Sequence, residues 1–262
     1  MAKRNNKLSS FNFRVMKNIY ILILIAFALS SCKNKKGENN AKEYKKPAIE
    51  AVEEHTAELA LDWNGVYKGL LPCASCPGIL STVKLKTDKT YVKSDFYVGS
   101  EQGYFNDEGT FYFTKDGGRI ILNSKKDTLM YQVGESRLFL LNKKGKKDTS
   151  SLANRYELMK MSDKEVLFSK TPIKGYLTIG EEVAVFEPLG SSKVYWVNDL
   201  KEGSLTKLYQ EKTKNEKAPY VPVMATLVAR KSKILRKGLH KKHDDVIDVL
   251  EIKSVKLLTE KE

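Results

Sequence analysis

Cys73 and Cys76, in Leu71-Pro72-Cys73-Ala74-Ser75-Cys76-Pro77-Gly78, are the residues whose type and spacing point most directly to chemistry. In an oxidising compartment such a pair closes a small disulfide loop; reduced, it offers soft thiolates to a metal; at a suitable site it exchanges disulfides catalytically. Catalytic exchange wants a thiolate at a helix N-terminus inside a βαβ pattern, whereas Cys76 is followed by Pro-Gly and a strand-like segment over 79–85. Zinc normally takes four ligands, and neither a second cysteine pair nor an adjacent histidine is present. Cu(I) favours thiolates and thioethers, so Cys73 and Cys76 could hold it with Met130 or Met159 if folding brings one near. Disulfide and metal remain open alternatives for the pair.

Other chemistry is sparse. The histidines are His55, His240 and His243. His240-Lys-Lys-His243 has a chelating spacing but lies in a Lys- and Asp-rich stretch over 231–245 that reads as a solvated loop. Carboxylates are plentiful, but spacing singles out no pair for acid-base catalysis. The chain is not read as an enzyme.

The remaining cysteine, Cys32, serves localisation. Lys3, Arg4, Lys7, Arg14 and Lys17 precede an unbroken apolar run from Ile19 to Leu29. That order is a secretory signal peptide, too short for a span that needs about 20 residues. The run ends in Leu29-Ser30-Ser31-Cys32, similar to the lipobox of bacterial lipoproteins, which implies an acylated Cys32 after removal of residues 1–31. Two or more acyl chains anchor firmly where one binds reversibly. Met16 begins a typical lipoprotein signal by itself and is an alternative start. Removing 1–31 lowers the formal net charge from +14 to +9. An exported basic chain meets lipid headgroups or anionic glycans rather than nucleic acid, and a lysine-rich soluble surface explains the charge equally simply.

The elements that must position these residues follow. Residues 32–60 are polar and charged and read as a flexible tether. Over 61–160, period-two alternation with regular turn signals predicts strands at 81–86, 90–98, 109–114, 119–123, 128–133 and 137–141, with Asn106-Asp107-Glu108-Gly109 among the punctuation. Such a meander closes into a small barrel, which removes exposed edges. Over 161–262 the pattern predicts strands at 182–187 and 193–198, a short helix within 200–214 from Leu200, Leu205, Leu208 and Tyr209, and strands at 220–231 and 246–258. These can make a Greek-key barrel of oligonucleotide/oligosaccharide-binding (OB) type. The fold class is all-β: two barrels with one short helix, behind a signal peptide and tether. Tyr91, Phe96, Tyr97, Tyr104, Phe105, Phe111, Tyr112 and Phe113 could line a ligand pocket or simply form core.

The segment Trp63-Asn-Gly-Val-Tyr-Lys-Gly-Leu-Leu-Pro-Cys-Ala-Ser-Cys-Pro-Gly-Ile resembles the opening strand and CxxC loop of the NlpE family of lipoproteins, through Tyr67, Gly69, Leu71, Pro72, Cys73, Ala74, Cys76, Gly78 and Ile79. Thr82, Val83 and Leu85 match the following strand loosely. The resemblance implies a lipocalin-like barrel over most of 62–160 and is compatible with the OB-type domain of longer members after it. It implies an outer-membrane lipoprotein, anchored through Cys32 and facing the periplasm, linked to copper tolerance and to signalling of envelope or surface-contact stress to an inner-membrane sensor kinase. Longer members can carry a second cysteine pair in the C-terminal domain; this chain has none there. The alternative function is a ligand-binding carrier or structural lipoprotein.

Overall fold

Alternating apolar residues need a closed surface to bury one face, and the chain supplies two. The computed structural model describes residues 56–124, 128–200, 203–234 and 237–260. Cys32, His55 and the signal peptide lie outside the described residues, as does the tether up to residue 55. Residues 56–60 depart from the tether expectation. Ala57–Ala60 form one helical turn, α1, with Ala57 and Leu61 packed on the first core and Glu58 N–H donating to Gly117 O. Apolar Ala57 and Leu61 flank the polar Glu58, so this turn buries one side.

The first barrel runs β1 (Gly65–Leu71), β2 (Ile79–Leu85), β3 (Thr90–Tyr97), β4 (Tyr104–Phe113), β5 (Arg119–Asn123), β6 (Leu129–Gly134), β7 (Arg137–Leu140) and β8 (Glu157–Lys160). Each strand pairs with the next and β8 closes on β1, all antiparallel. Tyr67, Val83, Leu85, Tyr91, Phe111, Ile120, Leu122, Tyr131, Leu138 and Leu158 fill it. Closure depends on Gly69, where an added Cβ would lie 2.5 Å from Glu157 O of β8. Trp63 covers one end, edge-on to Phe111 and Phe113, with the Lys89 ammonium 4.2 Å from its ring centroid.

Two expectations change here. Asn106–Gly109 is not a turn but lies inside β4, where Asp107 accepts a hydrogen bond from Tyr91 Oη (2.6 Å) and a Cβ on Gly109 would lie 3.2 Å from the Tyr91 ring. Turn-forming residues sit in this strand because side chains there carry polar contacts rather than core. β8, a strand of only four residues, had no sequence signal of its own.

The second barrel contains β9 (Ile173–Ile179), β10 (Ala184–Pro188), β11 (Tyr195–Asp199), α2 (Ser204–Thr213), β12 (Val223–Lys231) and β13 (Asp245–Lys256). Its closed order is β10-β11-β13-β12-β9. β11 and β13 are parallel and the other neighbours antiparallel. That order, with the helix between the third and fourth strands, is the five-stranded OB topology. β9, which local alternation does not mark, closes the barrel by pairing with both β10 and β12. The helix begins at Ser204 because Asp199 Oδ2, at the end of β11, accepts from the N–H groups of Leu205 (2.9 Å) and Thr206 (3.1 Å). Leu205 and Tyr209, one turn apart, face the core, while Leu200 stays exposed outside the helix.

Candidate functional site

The thiol loop, residues 72–78, leaves β1 after Leu71 and re-enters at Ile79, which pairs with Leu71. Cys73 and Cys76 are joined as a disulfide with their Cα atoms 5.2 Å apart. Both are half-buried, and Ala74 and Ser75 between them are exposed. The loop is braced from two sides. Val98 N–H donates to Gly78 O (3.0 Å), and Leu70 packs where a Gly78 Cβ would stand, 3.0 Å from its Cδ1.

Most of the residues that carry the family resemblance have a packing reason. Tyr67 is fully buried and donates to Trp63 O (2.7 Å). Gly69 permits closure, Leu71 is core, Gly78 makes room for Leu70, and Ile79 packs on the core. Cys73 and Cys76 belong to neither core cluster of the barrels. What the structure shows for them is the bond to each other.

The residues that flank and brace this loop, Leu70, Leu80 and Val98, stand at a seam between the barrels. Leu80, Phe96 and Val98 of the first barrel bury Val221 of the second, with Leu70, Tyr176, Ala218 and Leu258 around them. Lys68 Nζ contacts Glu187 Oε2 at 2.6 Å and lies 4.7 Å from the Tyr176 ring centroid. Burial first, and the Glu187 charge second, push the Tyr176 phenol above its ordinary range, keeping it neutral. Tyr104 Oη donates to Tyr220 O (3.3 Å), and Lys217 pairs with Glu101 (3.5 Å). A change in the thiol loop would therefore be felt by Leu70 and Val98, both seam residues.

The donor set bears on copper. Sulfurs bonded to each other are not thiolates, and the described residues contain no group of three or more His, Cys, Asp or Glu placed to hold a metal ion. Met159 stands opposite Lys68 at the end of the β1–β8 ladder, and Met130 opposite Ile121 on β6, which borders neither β1 nor β2. The oxidised pair does not fit a Cu(I) ion. His240 and His243 are not simply solvated: both rings pack on Trp196. The eight aromatics proposed as a pocket are dispersed. Tyr91 and Phe111 are core, Phe96 is at the seam, Tyr112 is exposed, and none of them lines the cavities that Tyr176, Lys160 or Phe139 help to bound.

Serine at both cysteines removes one short covalent loop. The loop-closure relation gives a loss of about 2 kcal/mol for a ring of this size. Urea unfolding of Cys73→Ser/Cys76→Ser should show an unfolding free energy lowered by that amount, with a correspondingly lower midpoint, matching wild type under reductant; equal stability with and without the bond would mean that it does not constrain the unfolded chain.

Residues 67–151 match the family model described as the NlpE N-terminal domain. The chain is 32% identical over 81 residues to Lipoprotein NlpE of Escherichia coli (strain K12), covering 30% of this chain and 34% of that protein. It thus spans about a third of the length of the curated relative it matches. Among solved structures, a presumed lipoprotein from Shewanella oneidensis is 40% identical, with a TM-score of 0.38, covering 40% of this chain and 95% of its own. The Cpx pathway activator NlpE from Escherichia coli is 19% identical, with a TM-score of 0.30, covering 73% and 94% respectively.

Proposed function

We propose, from the match of residues 67–151 to the NlpE N-terminal domain, that the chain is an envelope lipoprotein, anchored through Cys32 to the outer membrane and facing the periplasm, that reports envelope or surface-contact stress to an inner-membrane sensor kinase. The observation that carries the reading is the exposed Cys73–Cys76 loop, set within the family-matched barrel and beside the seam with the second. A lipid anchor followed by a polar stretch and a folded unit offers a direct means of reporting: where the unit sits depends on the anchor, and how it folds depends on the envelope's oxidants. No catalytic step is required. Recognition of a kinase needs a surface, and the thiol loop with the adjoining β3–β4 turn is the one we assign.

A stress reporter in the native host tests this, comparing a deletion, Cys32→Ala and Cys73→Ser/Cys76→Ser. The deletion should abolish induction by surface contact, Cys32→Ala should alter it through misplacement, and the double variant should shift its threshold. An unchanged response in all three would remove the signalling role. A part in copper tolerance requires the reduced pair, whose two thiolates are soft donors. The reduced chain from residue 33 should bind Cu(I), and the double serine variant should not; equal stoichiometry would take both cysteines out of any copper role.

A further inference from the structure

The stretch from Arg230 to His243 holds seven basic side chains and no acidic one. It joins β12 to β13, and backbone hydrogen bonds fasten both ends to the barrel: Ser232 N–H donates to Val246 O (2.9 Å), and Asp244 N–H to Val194 O (2.9 Å). Between these ties, the 3₁₀ turn Gly238–Lys242 brings His240 and His243 against Trp196 of β11, ring centroids 4.9 and 5.5 Å away. Val246, the ladder partner of Trp196, is fully buried although it is not part of the barrel's core cluster. Burial holds the His243 imidazole below its ordinary range, with His240 and Lys242 adding to the effect and Asp244 opposing it. The loop is thus fixed by its histidines on an apolar patch of the barrel.

With the histidines turned inward, the lysines face solvent. Arg230 pairs with Asp248, and Lys231 with Glu165 and Asp245. Lys233, Lys237, Lys241 and Lys242 are exposed, with no ion pair among the described residues; Leu235 and Arg236 lie outside those residues. Ile234 and Leu239 stand among these lysines, 50% and 36% exposed. Unpaired ammonium groups attract any polyanion. Exposed aliphatic side chains interleaved with them add nothing at a glycan or nucleic-acid surface, but at a bilayer they enter the headgroup boundary while the lysines meet phosphates.

We propose that the described parts of the β12–β13 connection, residues 232–234 and 237–243, form a membrane-contact site for an anionic lipid surface, with Lys233, Lys237, Lys241 and Lys242 on the headgroup phosphates and Ile234 and Leu239 at the acyl boundary. The site is independent of the signalling reading and of the anchor. It gives the second barrel its own attachment to a bilayer.

The test uses the chain from residue 33 onward, which keeps every described residue and lacks the anchor. Flotation with vesicles of phosphatidylcholine, or of phosphatidylcholine with phosphatidylglycerol, should show binding to the anionic vesicles alone, weakened by salt. Each lysine at such a surface strengthens binding about fivefold, so glutamine at all four should weaken it on the order of several hundredfold. Ile234→Ser/Leu239→Ser should weaken vesicle binding while leaving dextran sulfate binding unchanged, and near-ultraviolet circular dichroism verifies the fold around Trp196. Equal binding to neutral vesicles, or an unweakened glutamine variant, overturns the proposal. So does dextran sulfate binding without vesicle binding, or vesicle binding indifferent to the serine variant, either of which makes the loop a site for soluble polyanions.

Discussion

Lys93→Met should destabilise the protein by about 3–5 kcal/mol, the range for breaking a buried ion pair by removing one partner. Lys93 and Asp95 alternate with Tyr91 on the inward side of β3, are only 8% and 7% exposed, and pair with each other. Asp95 Oδ1 is buried with no hydrogen-bond partner, as are Ser81 Oγ, beside it in register, and Tyr131 Oη. Removing the ammonium leaves a carboxylate without a cation in a site where neighbouring polar atoms already lack partners.

The reciprocal change is expected to cost less. Asp107 stands opposite Lys93 in the β3–β4 ladder and lies close enough for the lysine's charge to act on it, so in Asp95→Asn the ammonium keeps an acidic neighbour. Burial tends to raise the Asp107 carboxyl, but hydrogen bonds from Tyr91 and Ser124 outweigh it, and its net shift is downward, keeping it ionised. Lys93→Met/Asp95→Leu, which removes both charges, should be near neutral or more stable than wild type. Denaturant unfolding of the three variants checks the order. A loss under about 1 kcal/mol for Lys93→Met would mean that water reaches the pair and pays its desolvation.

The second large effect is Phe186→Ala, expected to cost about 3–5 kcal/mol and to fall on the second barrel. Phe186 is fully buried at the centre of that core and lies over Gly175 of the neighbouring strand, where an added Cβ would be 2.7 Å from its Cζ and 2.5 Å from Glu187 O. Truncation therefore leaves a void over a residue that has no side chain to fill it. The complementary change, Gly175→Ala, should cost about 1–3 kcal/mol by overpacking, since the strands must separate to admit a methyl group.

Each barrel has its own core and one tryptophan, Trp63 in the first and Trp196 in the second, while the seam core is much smaller. In Phe186→Ala, with Trp63→Phe or Trp196→Phe to isolate each signal, the Trp196 transition should move to lower denaturant and the Trp63 transition should move little. Transitions that shift together would show that the seam couples the barrels into one cooperative unit.

Much of the fold was legible in local pattern. Val83 and Leu85 alternate with exposed or half-buried neighbours, and the five-residue strand Arg119–Asn123 lies where alternation placed it. Leu205 and Tyr209 marked the helix by their spacing, but its start depends on Asp199, whose role as cap required the turn that follows β11. β9 was missed because Ile173-Lys-Gly-Tyr-Leu-Thr-Ile mixes a glycine and a lysine into its apolar run; Gly175 belongs there for Phe186, a contact between strands. The thiol pair was legible as a candidate, and its place at the seam was not, since Val221 lies far away in sequence.

Some properties need only residue order. Charge followed by an apolar run and Leu29-Ser30-Ser31-Cys32 reads directly as an export and anchoring expectation, and a two-residue spacing between Cys73 and Cys76 makes a short loop the natural product of oxidation. Strand period likewise follows from local alternation, because successive side chains in a strand point to opposite faces. Which face is inside does not follow. Lys93 and Asp95 look like the polar side of β3 until closure of the barrel turns them inward together. Lys233 to Lys242 look like one solvated run until Trp196, on another strand, takes the two histidines and leaves the lysines outside. Burial and ion pairing are decided by contacts between residues distant in the chain, so only the tertiary structure could assign them.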